Sequence, residues 1–373
     1  MGVIDLKSNT FPRYPVSRPR AVPFVFSGEF SDKPSDECIT PNMIKRAYGF
    51  GNAGLCASGV KIALIEAFRN DKLKEDAEVF SSYFGLNPPK LSAVYPDGTA
   101  SRTNPLWAKE AALDSQWVHA LAPDAEITAV FSRSDGFDDL FSCIKYAVEI
   151  VGADVVCMSF GAPEFLSQGE ISRYFADSRC VFVAAAGDEG GRVFFPASSG
   201  AVLSVGGSSL RLSENGARLS AERAWEYGGG GSSRYEGIPA FQSVFGTIER
   251  ESGGFRAIPD AAFLADRSPG VCIYVSDIGD GTRGGWTNAG GTSFSAAAWS
   301  AVCAGIIKRR PPSLDKNKLC AYLYALAGGT EYNEPQYYFY DVVVGSNTRY
   351  RAHAGWDFCT GLGTPVVKQL LDG

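Results

Sequence analysis

The sequence predicts an α/β fold built on a doubly wound, mainly parallel sheet with helices on both faces. Three observations carry that expectation. Apolar runs of strand length recur along the chain, and helical patterns lie between them. A composition of 45% hydrophobic and 20% charged residues over 373 positions supplies a large core.

The runs are KIALIEA (61 to 67), EITAVFS (126 to 132), DVVCMSF (154 to 160), CVFVAAAG (180 to 187) and AVLSVGG (201 to 207). Such continuous runs suit strands buried on both faces, because a strand with one wet face would alternate. Helical patterns at 107 to 121 and 138 to 151 separate them, which is the alternation of a parallel sheet. Ligands of such sheets bind at the carboxyl ends of the strands. From 211 to 286 the chain is rich in Gly, Ser and Arg, so loops and short strands are expected to build a cleft there. A last long helix is expected from Ser293 to Arg309, stopped by Pro311 and Pro312. Ahead of Ile39, Pro12, Pro15, Pro19, Pro23 and Pro34 disfavour both helix and ladder pairing. Residues 1 to 38 therefore read as an extended arm, and 39 to 373 as one domain.

Composition also narrows the partners. A net charge of -6 with no basic run leaves no electrostatic footprint for nucleic acid or for an anionic membrane. The stretch SAAAWSAVCAGII (295 to 307) is too short to span a bilayer and reads as a buried helix. The first residues, MGVIDLKSNTFPRYPVSRPR, lack the apolar region of a secretory leader, so the chain is expected to be either cytoplasmic, the favoured reading, or a form whose leader is absent; a monomer is expected. Nine cysteines, an odd number without a CxxC pair, argue against a complete disulfide framework or a zinc knuckle. Mostly free, buried thiols are expected.

Two features carry chemistry. In WAKEAALDSQWVHALAP (107 to 123), Glu110 and Asp114 are four apart and share a helical face with Trp117 and Leu121, the apolar stripe. Carboxylates on a buried stripe are costly unless paired or protonated; the plainer alternative rotates the stripe and leaves both in water. Held together, they would titrate as a coupled pair that keeps one proton well above the ordinary range. In WTNAGGTSFSAAAWSAV (286 to 302), Ser293 follows a Gly-Gly-Thr turn at a helix start, where free amides favour developing negative charge. As a lone motif it would more often be an N-cap. A serine nucleophile needs a base, yet only His119 and His353 exist. His119 lies about 140 degrees around the helix from Asp114, so a Ser-His-Asp reading is weak.

Together these residues resemble the sedolisin family of serine-carboxyl peptidases, whose fold is subtilisin-like and whose centre is Ser-Glu-Asp. ITPNMIKRAYGF (39 to 50) is similar to the start of the family's catalytic domain, and EAALDSQ (110 to 116) to its acidic helix. VFVAAAGDEGG (181 to 191) resembles the strand that ends in an oxyanion aspartate, here Asp188. FPASSGAVLSVGG (195 to 207) and IPDAAFLAD (258 to 266) match framework segments, and GGTSFS (290 to 295) the nucleophile motif. The resemblance implies that Ser293 attacks the scissile carbonyl of a peptide or protein substrate and Glu110 takes its proton. Asp114 would orient Glu110 and share that proton, and a protonated Asp188 would join the Ser293 amide at the oxyanion. Glu66, ending KIALIE, matches an auxiliary acid. A carboxyl can donate a hydrogen bond only if an apolar setting raises its pKa, and Asp188 ends an apolar strand. An acid optimum is expected.

The resemblance extends to one calcium ion, held by the side chains of Asp341 and Asp357 and the carbonyls of Val342, His353 and Gly355, in DVVVGSN and RAHAGWDFCTGLGTP. His353 stands where the family often has glycine, Ala297 where it has proline, and Phe160 where some members have tryptophan or tyrosine. No large prodomain is expected ahead of Ile39. An endopeptidase is favoured. The alternatives are a tripeptidyl exopeptidase of the same family, a non-catalytic peptide-binding relative, and a subtilisin-type enzyme with His119 as base.

Overall fold

All five apolar runs become strands in the computed structural model, which describes residues 18–52, 54–279, 281–309, 315–328 and 338–372. Lys61–Ala67 and Glu126–Ser132 have the bounds that the sequence suggested. The run at 154 to 160 divides at Ser159 into Val155–Met158, in the central sheet, and Phe160–Pro163, which leaves it for a small antiparallel sheet. That break turns the Ser159 backbone toward the site described below.

The central sheet runs Arg223–Ala224, Leu203–Ser209, Val181–Ala185, Val155–Met158, Lys61–Ala67, Glu126–Ser132, Leu91–Val94, with Ala261–Leu264 also paired to Leu203–Ser209. Its pairings are parallel apart from that of Arg223–Ala224. Strand order reverses around Lys61–Ala67, where the chain first adds strands on one side and then on the other. A crevice opens at the carboxyl end of such a switch point.

Both faces are covered. Ile62 and Leu64 point into one core with residues of the helices Pro105–Leu121 and Thr292–Arg309. Ala63 and Ile65 point into the other, with residues of Phe137–Tyr146 and Gln168–Asp177. The expected helix at 138 to 151 is α-helical only to Tyr146 and then widens into a π-turn, Ala147–Val151, that ends at Gly152 with φ 68°. Thr292–Arg309 is buried on every side from Thr292 to Ile306. Pro311 and Pro312, expected to stop it, lie outside the described residues. Among the described residues no helix is long and apolar enough to cross a membrane.

Two expectations need correction. Residues 18 to 38 are extended, as far as they are described, but they do pair: Val22–Pro23 with Phe160 and Gly161, and Phe26–Ser27 with Ala289 and Gly290. A proline gives up only its own donor, which a two-residue edge ladder tolerates. The cysteines are mostly free, with six buried thiols and Cys56 exposed, but Cys38 and Cys272 form a disulfide across 234 residues of sequence. Sequence spacing carries no trace of a pairing that long.

Behind the sheet, a buried ion pair fixes the segment that the sequence marked as framework. Arg256 and Asp260 are both 0% exposed and meet through two bonds, Nη1 to Oδ1 at 2.6 Å and Nη2 to Oδ2 at 2.5 Å. Asp260 also accepts from Tyr324, Gln242 and the Ser204 amide, while Arg256 donates to the carbonyls of Ser199, Val202 and Ala257. Removing one partner strands the other charge in the core. Asp260→Ala is therefore expected to destabilise the fold by about 3–5 kcal/mol, read from denaturant unfolding; a loss under about 1 kcal/mol would refute it.

Candidate active site

The helix Pro105–Leu121 starts at a built cap. The Asn104 side chain accepts from the amides of Leu106 and Trp107, and Pro105 occupies the first turn, where no amide is needed. The stripe that carries Glu110 and Asp114 then turns inward: Glu110 is 1% exposed and Asp114 0%. The alternative that left both in water is excluded. Glu110 faces the start of Thr292–Arg309, and its Oε2 accepts the Ser293 hydroxyl at 2.9 Å. Ser293 Oγ is also 3.2 Å from the Ser159 carbonyl.

Asp114 is held by two neutral donors. Its Oδ1 accepts the Ser159 hydroxyl at 3.0 Å, and its Oδ2 the Cys157 thiol at 3.7 Å. Glu110 Oε1 and both Glu66 oxygens are buried without a hydrogen-bond partner. Glu66 projects from the end of Lys61–Ala67, fully buried at the switch point. Burial first, and then the charge of Asp114, raise both glutamates well above the usual carboxyl range. Burial likewise raises Asp114 to about 7, against the lowering effect of Ser159 and Cys157. Such closely coupled groups bind and lose protons as a unit.

Asp188 follows Val181–Ala185 on the Gly187 turn. Its Oδ1 accepts the Thr292 amide at 2.9 Å and the Thr292 hydroxyl at 2.7 Å, while Oδ2 has no partner. Burial raises it to about 7. Below that pH it is a neutral acid with a proton to donate beside Ser293.

His119 takes no part. Its Nε2 is 2.8 Å from the Asn87 carbonyl, and burial lowers its pKa, so the ring is neutral and turned away from the serine, which bonds Glu110. His353 is exposed and pairs with the Ala354 carbonyl. Ser159, Thr292 and Cys157 were missed by the sequence reasoning. Ser159 had one signal, a polar residue that interrupts the apolar run MSF; nothing local marked the other two.

Of the calcium ligands that the resemblance implies, Asp341 lies beside the 353–357 loop. The Gly355 amide donates to Asp341 Oδ2 at 2.8 Å, and the His353 amide to Asp357 Oδ2 at 3.1 Å. Asp357 Oδ1 accepts the amides of Cys359 and Thr360.

Ser293 bonded to a buried glutamate at the end of a mainly parallel, doubly wound sheet is the arrangement that the comparisons with known proteins bear on. The chain belongs to the subtilase family, whose model matches residues 108–363, and within that family to the sedolisins. It is 31% identical to kumamolisin of a Bacillus species over 383 aligned residues, covering 92% of this chain and 65% of that protein. It is 32% identical to sedolisin of a Pseudomonas species over 195 residues, covering 48% of this chain. Tripeptidyl-peptidase sed1 of Aspergillus fumigatus is 25% identical over 90% of this chain. The chain thus spans 65% of the length of two of these relatives and 30% of the third. Among solved structures, Pseudomonas sedolisin, a serine-carboxyl proteinase complexed with two molecules of pseudo-iodotyrostatin, matches with a TM-score of 0.76 at 25% identity. It covers 92% of this chain and 98% of that one.

The raised pKa values set the pH dependence of stability. A carboxyl that binds its proton more tightly folded than unfolded adds stability at low pH and loses it as pH rises through its folded value. For Asp114 and Asp188 that window runs from the ordinary 3.8 up to about 7. The melting temperature is expected to be higher at pH 4.5 than at pH 8 in calorimetry at constant ionic strength; the reverse order would contradict buried, protonated acids.

Proposed function

We propose that the chain is an acid-acting serine-type endopeptidase. The observation that carries the proposal is the buried 2.9 Å hydrogen bond from Ser293 to Glu110. Ser293 attacks the scissile carbonyl as Glu110 takes its proton; Glu110 then returns that proton to the leaving amine, and water reverses the sequence on the ester. Asp114, itself held by Ser159 and Cys157, orients Glu110 and shares its proton, and its charge acts on the glutamate. It makes the glutamate a stronger base and favours the proton's arrival. Asp188 Oδ2, unpartnered and protonated, donates to the oxyanion. Glu66 spreads the acidic cluster over a third carboxyl.

The upper limb of the rate profile follows Asp188, which must keep its proton and loses it near 7. The lower limb follows the last proton accepted by the coupled Glu110 and Asp114. Peptide hydrolysis from pH 3 to 8 is expected to give a bell centred below about pH 6. Ser293→Ala should abolish turnover, and Glu110→Gln should lower kcat by about 10²–10⁴-fold. Equal rates in wild type and Ser293→Ala would end the claim. Endopeptidase action is favoured because backbone pairs with the cleft on both sides of Ser293, at Phe160 and Gly161 and again at Ala289 and Gly290. Loss of all cleavage on acetylating the substrate amine would instead favour tripeptidyl release.

We further propose one calcium ion, held by the carboxylates of Asp341 and Asp357 and the carbonyls of Val342, His353 and Gly355. The fit rests on chemistry. The donors are all oxygen, as calcium requires, and among the described residues none of the three carbonyls accepts a backbone hydrogen bond. No cluster of three or more His, Cys, Asp or Glu able to hold a metal occurs among the described residues, so any such site must rely on carbonyls. Bound there, calcium would tie the Asp341 segment to the 353–357 loop. A chelator is expected to lower the melting temperature and added calcium to restore it, with no such response in Asp357→Ala; an unchanged melting temperature with chelator would refute the site.

A further inference from the structure

Side chains alternate along a strand, so Cys157 and Ser159, two apart at the end of Val155–Met158, point to the same face, toward the acidic helix Pro105–Leu121. Each reaches a different oxygen of Asp114. The Ser159 hydroxyl donates to Oδ1 at 3.0 Å and the Cys157 thiol to Oδ2 at 3.7 Å. Sγ also lies 3.5 Å from the Ser159 hydroxyl, but the carboxylate is the charged and therefore the stronger acceptor within its reach. Of the six buried free thiols, Cys157 is the one whose hydrogen bond reaches a carboxyl among the described residues. Burial pushes this thiol well above its ordinary value, so its hydrogen stays on sulfur through the whole range in which the acids titrate.

The other titratable groups around Asp114 are acids or are turned elsewhere. Glu110 shares its helix, Glu66 ends Lys61–Ala67, and Asp188, from the turn after Val181–Ala185, acts on Glu110. Lys109 on the same helix lies over the Phe30 ring. The helix Thr292–Arg309 brings the uncharged Ser293 hydroxyl and keeps its cations, Lys308 and Arg309, for its last turn. Among the remaining elements packed on the acidic helix, Glu126–Ser132 has its one charge exposed, Leu73–Tyr83 turns its buried acid Asp76 to the Ser276 amide, and Val271–Asp277 turns Asp277 to the Gly279 amide. Lys45 of Pro41–Tyr48 acts on His119. The two neutral donors are thus what favours a charge on Asp114.

A hydrogen bond to an ionised carboxyl favours that form, and a thiol is a weak donor. Glu110 and Asp114 titrate as a pair, so whatever favours the Asp114 anion makes the pair hold its second proton less tightly. That second proton is the one that leaves Ser293 without a base. We propose that Cys157 is a positioning residue of the peptidase, and that the weak donor it gives to Asp114 Oδ2 sets how far into acid the pair still serves Ser293. This rests on the peptidase reading above. A stronger donor at the same place extends the working range downward, and none at all shortens it.

The test compares kcat/KM for peptide hydrolysis from pH 3 to 8 in wild type, Cys157→Ala and Cys157→Ser. In Cys157→Ala the lower limb is expected to move to higher pH by about 0.5 unit or more. Cys157→Ser, with a hydroxyl as donor, should return the limb to the wild-type position or below it. Both variants remove the sulfur, so a role in packing alone would move the two limbs together. A variant too slow to profile is read by calorimetry, because a carboxyl that keeps its proton to higher pH widens the window over which stability is lost. The fall in melting temperature from pH 4.5 to pH 8 should be larger than wild type in Cys157→Ala and no larger in Cys157→Ser. Limbs or falls that coincide in all three proteins, or that change together in both variants, overturn this proposal and leave the peptidase reading standing. A wild type without turnover overturns the peptidase reading and this proposal with it.

Discussion

Glu66, Glu110, Asp114 and Asp188 meet where the parallel strands end, and among the described residues none of them has a salt-bridge partner. Buried carboxyls without cations can exist only as acids or as acceptors from neutral donors. The surroundings follow from that constraint. Ser159, Cys157, Thr292 and Ser293 supply the neutral donors. The crevice around the switch strand supplies the low dielectric that keeps the protons on.

The contrast with Arg256 and Asp260 clarifies the design. That pair is equally buried but fully compensated, with each charge bonded to the other and to neighbouring carbonyls, amides and hydroxyls. It holds framework together and leaves no group free to react. The acidic cluster leaves four carboxyl oxygens without partners, two on Glu66 and one each on Glu110 and Asp188. Unsatisfied buried oxygens are costly, and at a site of proton transfer the cost is what makes a carboxyl ready to gain or give a proton. Scaffold and site thus use the same chemical groups with opposite satisfaction.

Much of the fold was legible because its physics is local. Strands covered on both faces must be apolar throughout, so the runs at 61 to 67 and 126 to 132 announced their bounds. The four-residue spacing of Glu110 and Asp114 placed them on one face. What that spacing could not say was which way the face turned, since its stripe mixes Glu and Asp with Trp and Leu. The partner that settled it, the helix at Thr292, lies 183 positions from Glu110 to Ser293.

By itself, then, the sequence determined the sheet, the acidic helix, the serine at a helix start and the want of a suitably placed histidine, all of which depend on residues close along the chain. Tertiary structure alone decided that Ser159 and Cys157 donate to Asp114, that Cys38 joins Cys272, and that a proline-rich arm pairs on both sides of Ser293. These are contacts between distant segments. Hydrophobic periodicity and turn chemistry report a residue's immediate neighbours, and only the closed fold brings the others within bonding distance.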